Sequence, residues 1–398
     1  MLDTVSMHSP KPAGGKMPWK KSDPEKERVR FAVQAEEGRY SMTELCARYG
    51  VSRQTGHTTL KRFRALGPKG LKERSHAPLH CPHRIGEEMR ERLLAAKRAH
   101  PTWGPRKILA WLRPRHPELV LPAASTVGDL YRREHLVESR KRRRQWNHPG
   151  RTQVGVSAPN DVWTIDFKGE FRLGNARWCY PLTIADAHTR FLLAIDALSS
   201  TAHAPAQAVV ERVFREYGLP RVIRSDNGGP FATQAIAGLS RLSVWWTQLG
   251  IRQDRIAPGR PEQNGSHERM HRTLKRETAR PPERDVHAQQ ARFDSFRGEF
   301  NSERPHDALG GTTPGSRYTP SPRELPERLP EPEYPGHCEI RQVRANGILY
   351  FRDREIFVSE LLAGHHVALE EIEDGVWSVC FYDLLLARFD ERSGTLSD

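Results

Sequence analysis

Cysteine is scarce in this chain, and long apolar runs are missing altogether. The five cysteines, Cys46, Cys81, Cys179, Cys338 and Cys380, are odd in number, scattered, and never form a Cys-x-x-Cys pair. A disulfide framework is thereby excluded and a reducing compartment expected. No stretch has the length and apolarity to cross a bilayer, and no signal peptide is apparent. No membrane partner is expected, and the expected location is cytoplasmic, in contact with the nucleoid. Zinc ligands are also in short supply. The only His/Cys cluster, His76-Ala77-Pro78-Leu79-His80-Cys81-Pro82-His83, carries two prolines and has no second ligand pair at matching spacing, so it reads as a linker. Most of the chain also lacks an excess of positive charge. Residues 151 to 398 hold 31 Lys and Arg against 34 Asp and Glu, whereas residues 1 to 150 hold 32 against 15. The whole net charge of +14 therefore lies in the first part, which implies a polyanionic partner there.

A chain of 398 residues is long enough for two to four domains of about 100–200 residues each. Residues 1–24 hold Pro10, Pro12, Pro18, Pro24 and a Gly14-Gly15 pair with little apolar content, the composition of a disordered tail. Residues 25–80 turn helical. Gly50 can take the positive φ of a tight turn and Ser52 can cap the helix after it, which together make a helix-turn-helix. The second helix would present Arg53, Gln54, His57, Lys61 and Arg62 to the major groove of double-stranded DNA; an ordinary helical hairpin is the alternative. Gly56, Thr58 and Thr59 are poor helix formers in its middle. Residues 81–150 repeat the theme and end in a basic linker. Trp103-Gly104-Pro105-Arg106-Lys107 opens a helix with Ile108, Trp111 and Leu112 on one face, and Ser125 is expected to cap another with Val127, Leu130 and Tyr131 inward. Arg106 and Lys107 are candidate phosphate contacts, as are Arg142 and Arg143 in the run Lys141-Arg142-Arg143-Arg144. That run reads equally as a solvated tether.

Residues 151–320 alternate strand and helix. Strands are expected at 161–167, 178–185, 190–196, 221–225 and 250–257, and helices at 204–217, 232–249, 264–278 and 286–300. The pattern is that of an α/β core with a mixed five-stranded sheet and helices on both faces. Residues 321–336 are Pro-rich and read as a stiff linker. Residues 337–398 read as short strands with Gly turns, the pattern of a small β-barrel.

The chemistry centres on Val162-Trp163-Thr164-Ile165-Asp166-Phe167. Trp163, Ile165 and Phe167 alternate with Val162, Thr164 and Asp166, as in a strand. A carboxylate at a strand end beside Lys168 and Gly169 suits a metal site better than a core. Ser225-Asp226-Asn227-Gly228 and Gly265-Ser266-His267-Glu268 supply two more acids. Each alone reads equally as a surface charge or a cap; three converging acids suit Mg²⁺, a hard cation. Two such ions about 3.5–4 Å apart can activate a nucleophile and stabilise a leaving oxygen at a phosphodiester. His271, Arg272 and Lys275 lie three, four and seven residues after Glu268, so they are expected to share its helix face and meet a DNA strand. Asp161 and Asp186 also sit at strand ends, where strand-entry and turn-capping roles are expected.

The ordered set Trp163-Thr164-Ile165-Asp166, Ser225-Asp226-Asn227-Gly228 and Gly259-Arg260-Pro261-Glu262-Gln263-Asn264-Gly265-Ser266-His267-Glu268-Arg269 resembles the catalytic core of the retroviral integrase superfamily, specifically the DDE transposases of bacterial insertion sequences. Phe300-Asn301-Ser302-Glu303-Arg304-Pro305-His306-Asp307-Ala308-Leu309-Gly310 is similar to the segment that ends such cores. The resemblance implies a ribonuclease H-like fold and Mg²⁺ or Mn²⁺, two ions per site, held by Asp166, Asp226 and Glu268. It implies DNA cleavage and strand transfer at transposon ends into target DNA by at least a dimer. A structure-specific nuclease and a DNA-binding regulator derived from a transposase stand as alternatives. Between Asp226 and Glu268 lie 41 residues, more than is common in the superfamily; the excess is expected to lengthen the helical segment around residues 239–246.

Overall fold

The structure is a computed structural model that describes residues 23–73, 85–137, 154–226, 228–233, 235–256 and 265–397. The expectations for the tail before residue 23, the His76 to His83 cluster, Arg142 and Arg143, Asn227 and the stretch 257–264 lie outside the described residues. The chain divides into two compact units, residues 1–84 and 85–398.

The first unit packs α1 (Pro24–Glu36), α2 (Met42–Tyr49) and α3 (Arg53–Leu66) around Phe31, Leu45 and Cys46. Ser41 and Glu44 close a capping box on α2, Gly50 ends that helix at φ 65°, and the Ser52 side chain accepts from Thr55 N–H at the start of α3. The weak helix formers of α3 each have a local reason. Thr58 and Thr59 donate their hydroxyls to the carbonyls of Gln54 and Thr55, one turn back. Gly56 is buried where a Cβ would lie 2.5 Å from Cys46 Sγ and 3.0 Å from Phe31, so the missing side chain lets α3 close on α1 and α2.

The second unit opens with α4 (Glu87–Ala99), α5 (Pro105–Arg115) and α6 (Ala124–Arg133), packed around Trp103, Ile108, Leu112, Val127, Leu130 and Tyr131. The expected cap of α6 differs: Ala123 is its N-cap and Ser125 lies within its first turn. A mixed sheet follows. β1 (Val162–Phe167) lies antiparallel to β3 (Trp178–Asp186), and β4 (Leu192–Leu198) antiparallel to β3. On its other side β1 runs parallel to β5 (Val222–Ser225), which runs parallel to β6 (Arg252–Arg255). The two-residue β2 (Phe171–Arg172) pairs with the start of β3, a sixth strand beyond the five expected.

Helices cover both faces. Trp163, Ile165 and Phe167 pack with α7 (His203–Tyr217) and α8 (Arg241–Gln248) through Val210, Phe214, Leu242 and Trp246. The opposite face, through Ala185, Leu192 and Ile195, packs on α9 (Gly265–Thr278) and α10 (Val286–Ser302). The long helix expected over 232–249 is cut to α8. Ala237 takes φ 49° in a short 3-10 turn, and Ser240 and Ser243 form a capping box that starts α8 there. The chain before α8 instead turns outward, and Leu239 and Val244 enter the core of the C-terminal region.

That region holds β7 (Glu339–Gln342), the hairpin β8 (Ile348–Phe351) and β9 (Arg354–Phe357), then β10 (His366–Glu373), β11 (Val376–Phe381), β12 (Leu384–Asp390) and β13 (Thr395–Ser397). Five of them form an open antiparallel sheet in the order β13-β12-β11-β10-β7, with β8–β9 as a separate ladder. No closed sheet is present among the described residues, so the expected barrel is not seen. Leu349, Phe351 and Ile356 of the hairpin, with Leu239 and Val244, share one core with the apolar residues of the sheet. The Pro-rich segment is anchored at its start, where Arg323 donates to the carbonyls of Pro220 and Leu249.

Gly56 offers a test of sign. By helix propensity alone, Gly56→Ala should stabilise α3 by about 1 kcal/mol. The close approach of Cys46 reverses this, and a loss of about 1–3 kcal/mol in denaturant unfolding is expected from overpacking.

Candidate active site

Parallel pairing of β1 and β5 sets the site. Val162 lies opposite Val222, Trp163 opposite Ile223 and Thr164 opposite Arg224. The same register carried on brings Asp226, directly after β5, beside Asp166 at the carboxyl ends of the strands, where open α/β sheets bind their ligands. Asp226 turns sharply out of the sheet, its Oδ1 accepting from Gly228 N–H at 3.1 Å. Glu268 is exposed in the first turn of α9.

Asp166 registers this company in its protonation. Burial and then the charge of Asp226 push its carboxyl up to about 7, with Glu268 adding to the effect; the Phe167 backbone N–H and Lys168 oppose it. Its side chain is 21% exposed. Three carboxylates close enough to act on one another, one of them raised chiefly by its own burial, are the kind of oxygen-donor set that a hard divalent cation prefers.

Behind Asp166 lies a buried polar network. Thr183 Oγ1 donates to the Asp166 backbone carbonyl at 3.0 Å and also meets His267 Nε2 at 2.6 Å and His271 Nε2 at 2.7 Å. His267 Nδ1 contacts Thr164 Oγ1 at 2.6 Å. Burial drives both imidazoles down, His267 to about 3 and His271 to about 2, so both are neutral. His271 Nδ1 stands 3.8 Å from Asp166 Oδ2. His271 therefore departs from the exposed face on which it was expected: it packs against the sheet, while Glu268, Arg272 and Lys275 stay outside. The signal was present in the sequence. Met270 and Leu274 define an inward stripe on α9, and His267 and His271 fall on it at helical spacing.

The outer face of α9 borders a cavity of about 730 Å³ lined by Glu268, Arg269, Arg272, Lys275, Arg276 and Lys168, among others. Lys168, Arg269, Arg276 and, from farther along the chain, Arg280 and Arg304 add to the expected Arg272 and Lys275. In the first unit Arg53, Gln54, His57 and Lys61 are exposed along α3. Arg62 is not: it is half-buried and donates to the Lys72 carbonyl at 2.8 Å. Arg106 is exposed, whereas Lys107 is half-buried and turned toward the core. Asp186 caps its own turn, accepting from Thr189 N–H and Oγ1 and from Asn160 N–H. Asp161 accepts from Ser157 and Ala158 ahead of β1.

Two stretches of the chain, residues 156–261 and 249–314, match the Integrase core domain family. Residues 22–72 and 55–131 match the Homeodomain-like domain family. The chain is similar to the uncharacterized protein of insertion element IS476 from Xanthomonas euvesicatoria, with 30% identity over 67% of this chain and 75% of that protein. It is also similar to the uncharacterized protein of insertion element IS407 from Burkholderia multivorans, 30% identical over 46% of this chain and 65% of that protein. The Gag-Pol polyprotein of Baboon endogenous virus is 35% identical over 32% of this chain, which spans 7% of the polyprotein.

The raised Asp166 carboxyl has a consequence for stability. Its contribution is fully present below the unfolded pKa near 3.8 and is lost as pH rises through about 7. In chelator-treated protein, Asp166→Asn is therefore expected to gain on the wild type as pH rises from about 4 to about 7, by roughly 1–3 kcal/mol. Unfolding curves across that range check this; a difference independent of pH contradicts it.

Proposed function

Because the chain belongs to the integrase-core family of insertion-element proteins, we propose that it works as a DDE transposase, with Asp166, Asp226 and Glu268 as metal ligands and catalytic acids. The observation that carries this reading is the parallel register of β1 and β5, which sets Asp226 beside Asp166, where burial first and then the charges of Asp226 and Glu268 raise the Asp166 carboxyl. Three oxygen donors meeting at a strand edge have a use when two Mg²⁺ or Mn²⁺ ions lie between them. Bound there, the ions supply Lewis acidity to both the attacking and the leaving oxygen of a phosphodiester.

The residues of the chain do the rest. Asp166 interacts with both other acids, and Asp166, Asp226 and Glu268 would hold the ions. The His267–Thr183–His271 network keeps β1 and α9 in fixed register, so that Asp166 and Glu268 stay at a constant separation. Arg272, Lys275 and Lys168 hold the phosphates of the strand being cut. In the first reaction water attacks a phosphodiester at the element end, breaking the P–O3′ bond and leaving a 3′-hydroxyl. That hydroxyl then attacks a target phosphodiester and displaces its 3′-oxygen, with no covalent enzyme intermediate.

The division of labour follows the charge. Residues 25–80 and 81–150 read the ends in double-stranded DNA and residues 151–320 cut. Because two ends are joined together, at least two copies act.

Asp226→Asn is expected to reduce Mg²⁺-dependent strand cleavage by roughly 10²–10⁴-fold, the loss of several kcal/mol of metal stabilisation, while DNA binding survives. Unchanged cleavage by the purified variant removes Asp226 from the site. Arg53→Ala and Lys61→Ala test the reading helix: removing one phosphate-binding charge is expected to lower the slope of log affinity against log salt by about 1. A slope equal to the wild type takes that residue off the DNA.

A further inference from the structure

Arg304 and His306, in the segment that closes the core, are not used by the chemistry above, yet both line a second cavity, open on one side. This cavity, about 230 Å³, lies between the first turn of α5 and the inner side of α9. Its wall carries Lys107 from α5, Arg190 from the β3–β4 turn, Arg269 from α9, and Arg304 and His306. Asp186 is the single acid on the wall, and both its oxygens already accept hydrogen bonds from Asn160 and Thr189. Arg304 is satisfied by Glu277, at 3.0 and 3.2 Å. The side chains of Lys107, Arg190 and Arg269 have no hydrogen bond or ion pair to any described residue. His306 Nε2 is buried with no partner.

Lys107 and Arg190 are half-buried and Arg269 is exposed at the cavity's edge, and partly desolvated cations without a hydrogen-bonded partner favour a counter-charge. The desolvation appears on the groups themselves. Burial, then the neighbouring Arg304, brings Lys107 down to about 8 against the weaker pull of Asp307 and Glu277, and burial with Arg269 lowers Arg190 against that of Asp186. Convergent guanidinium and ammonium donors, with an imidazole nitrogen free to donate, match the oxygens of a phosphate, which arginine takes in bidentate fashion. We propose that this cavity is a built site for a phosphate group, and that its occupant fastens the helices of residues 85–137 to the back of the core. The network through Thr164 and His267 runs from its wall to Asp166. Lys107, Arg269 and Arg304 also line the cationic cavity beside Glu268. The phosphate can therefore come from a DNA backbone, a source that rests on the transposase reading, or from a free phosphate in solution.

The test uses the full-length protein carrying Asp226→Asn, so that its outcome does not depend on cleavage. Thermal unfolding is followed against inorganic phosphate, with chloride at equal ionic strength as control. Phosphate is expected to raise Tm above the chloride control, and Lys107→Gln is expected to weaken its apparent affinity by about tenfold or more, the worth of one charge-assisted hydrogen bond. Arg190→Gln, in a different element, is expected to do the same and covers the case in which Lys107→Gln perturbs packing. Loss of the phosphate effect when duplex DNA is bound identifies the DNA backbone as the source; its persistence identifies free phosphate. A Tm in phosphate equal to that in chloride, or an equal phosphate effect in wild type and both variants, overturns the proposal.

Discussion

Like charges brought together at one edge of a sheet are the feature around which this molecule is arranged. β1 and β5 are parallel, so their carboxyl ends coincide, and each carries an aspartate there: Asp166 one residue before the end of β1 and Asp226 directly after β5. α9 adds Glu268 from the other face of the sheet. Burial, and after it the charges of Asp226 and Glu268, holds the Asp166 carboxyl near 7, so the surrounding packing must keep the acids in place. It does so on both sides: Trp163 and Ile165 are locked under α7 and α8, while Met270 and Leu274 seat α9 on the opposite face. Between them the two neutral histidines and Thr183 tie α9 to β1 and β3 through hydrogen bonds of 2.6 to 3.0 Å. Polar groups so placed in a core are costly unless all are satisfied, and here they hold α9 against β1 and β3.

Around the acids the chain is positive. Lys168, Arg272, Lys275 and Arg276 surround Glu268, and the unpaired cations of the second cavity continue beneath α9. The sequence-wide charge split hides this, because residues 151–398 are slightly acidic in sum. Local concentration of charge, rather than net charge, is what a phosphate backbone meets. The segment between Asp226 and Glu268, expected to lengthen a helix, instead sends Leu239 and Val244 into the core of the C-terminal sheet.

Much of this was legible in the residues. Period-2 alternation from Val162 to Phe167 located β1 and its inward face, and the Ser225-Asp226 edge located the end of β5. Features that depend on distant partners were not. Gly56 reads as a helix breaker until Cys46 and Phe31 stand against it. His271 reads as exposed when its position is counted from Glu268, and as buried when counted from Met270 and Leu274. The helix expected over 232–249 was shortened by the left-handed turn at Ala237 and the packing of Leu239 on another region, neither of which a propensity window contains. Whether strands β7 to β13 close into a barrel is a matter of edge pairing, which alternation within a strand does not encode.

The central claim is that Asp166, Asp226 and Glu268 together hold divalent metal. A crystal of the wild-type protein soaked in Mn²⁺ and measured for anomalous scattering tests it most directly, because it reports ion positions rather than activity. The account predicts anomalous peaks within coordination distance of both Asp166 and Asp226, with Glu268 as the further ligand. Peaks confined to another cluster, such as His337, Cys338 and Glu370 of the C-terminal region, with none at Asp166, would contradict it.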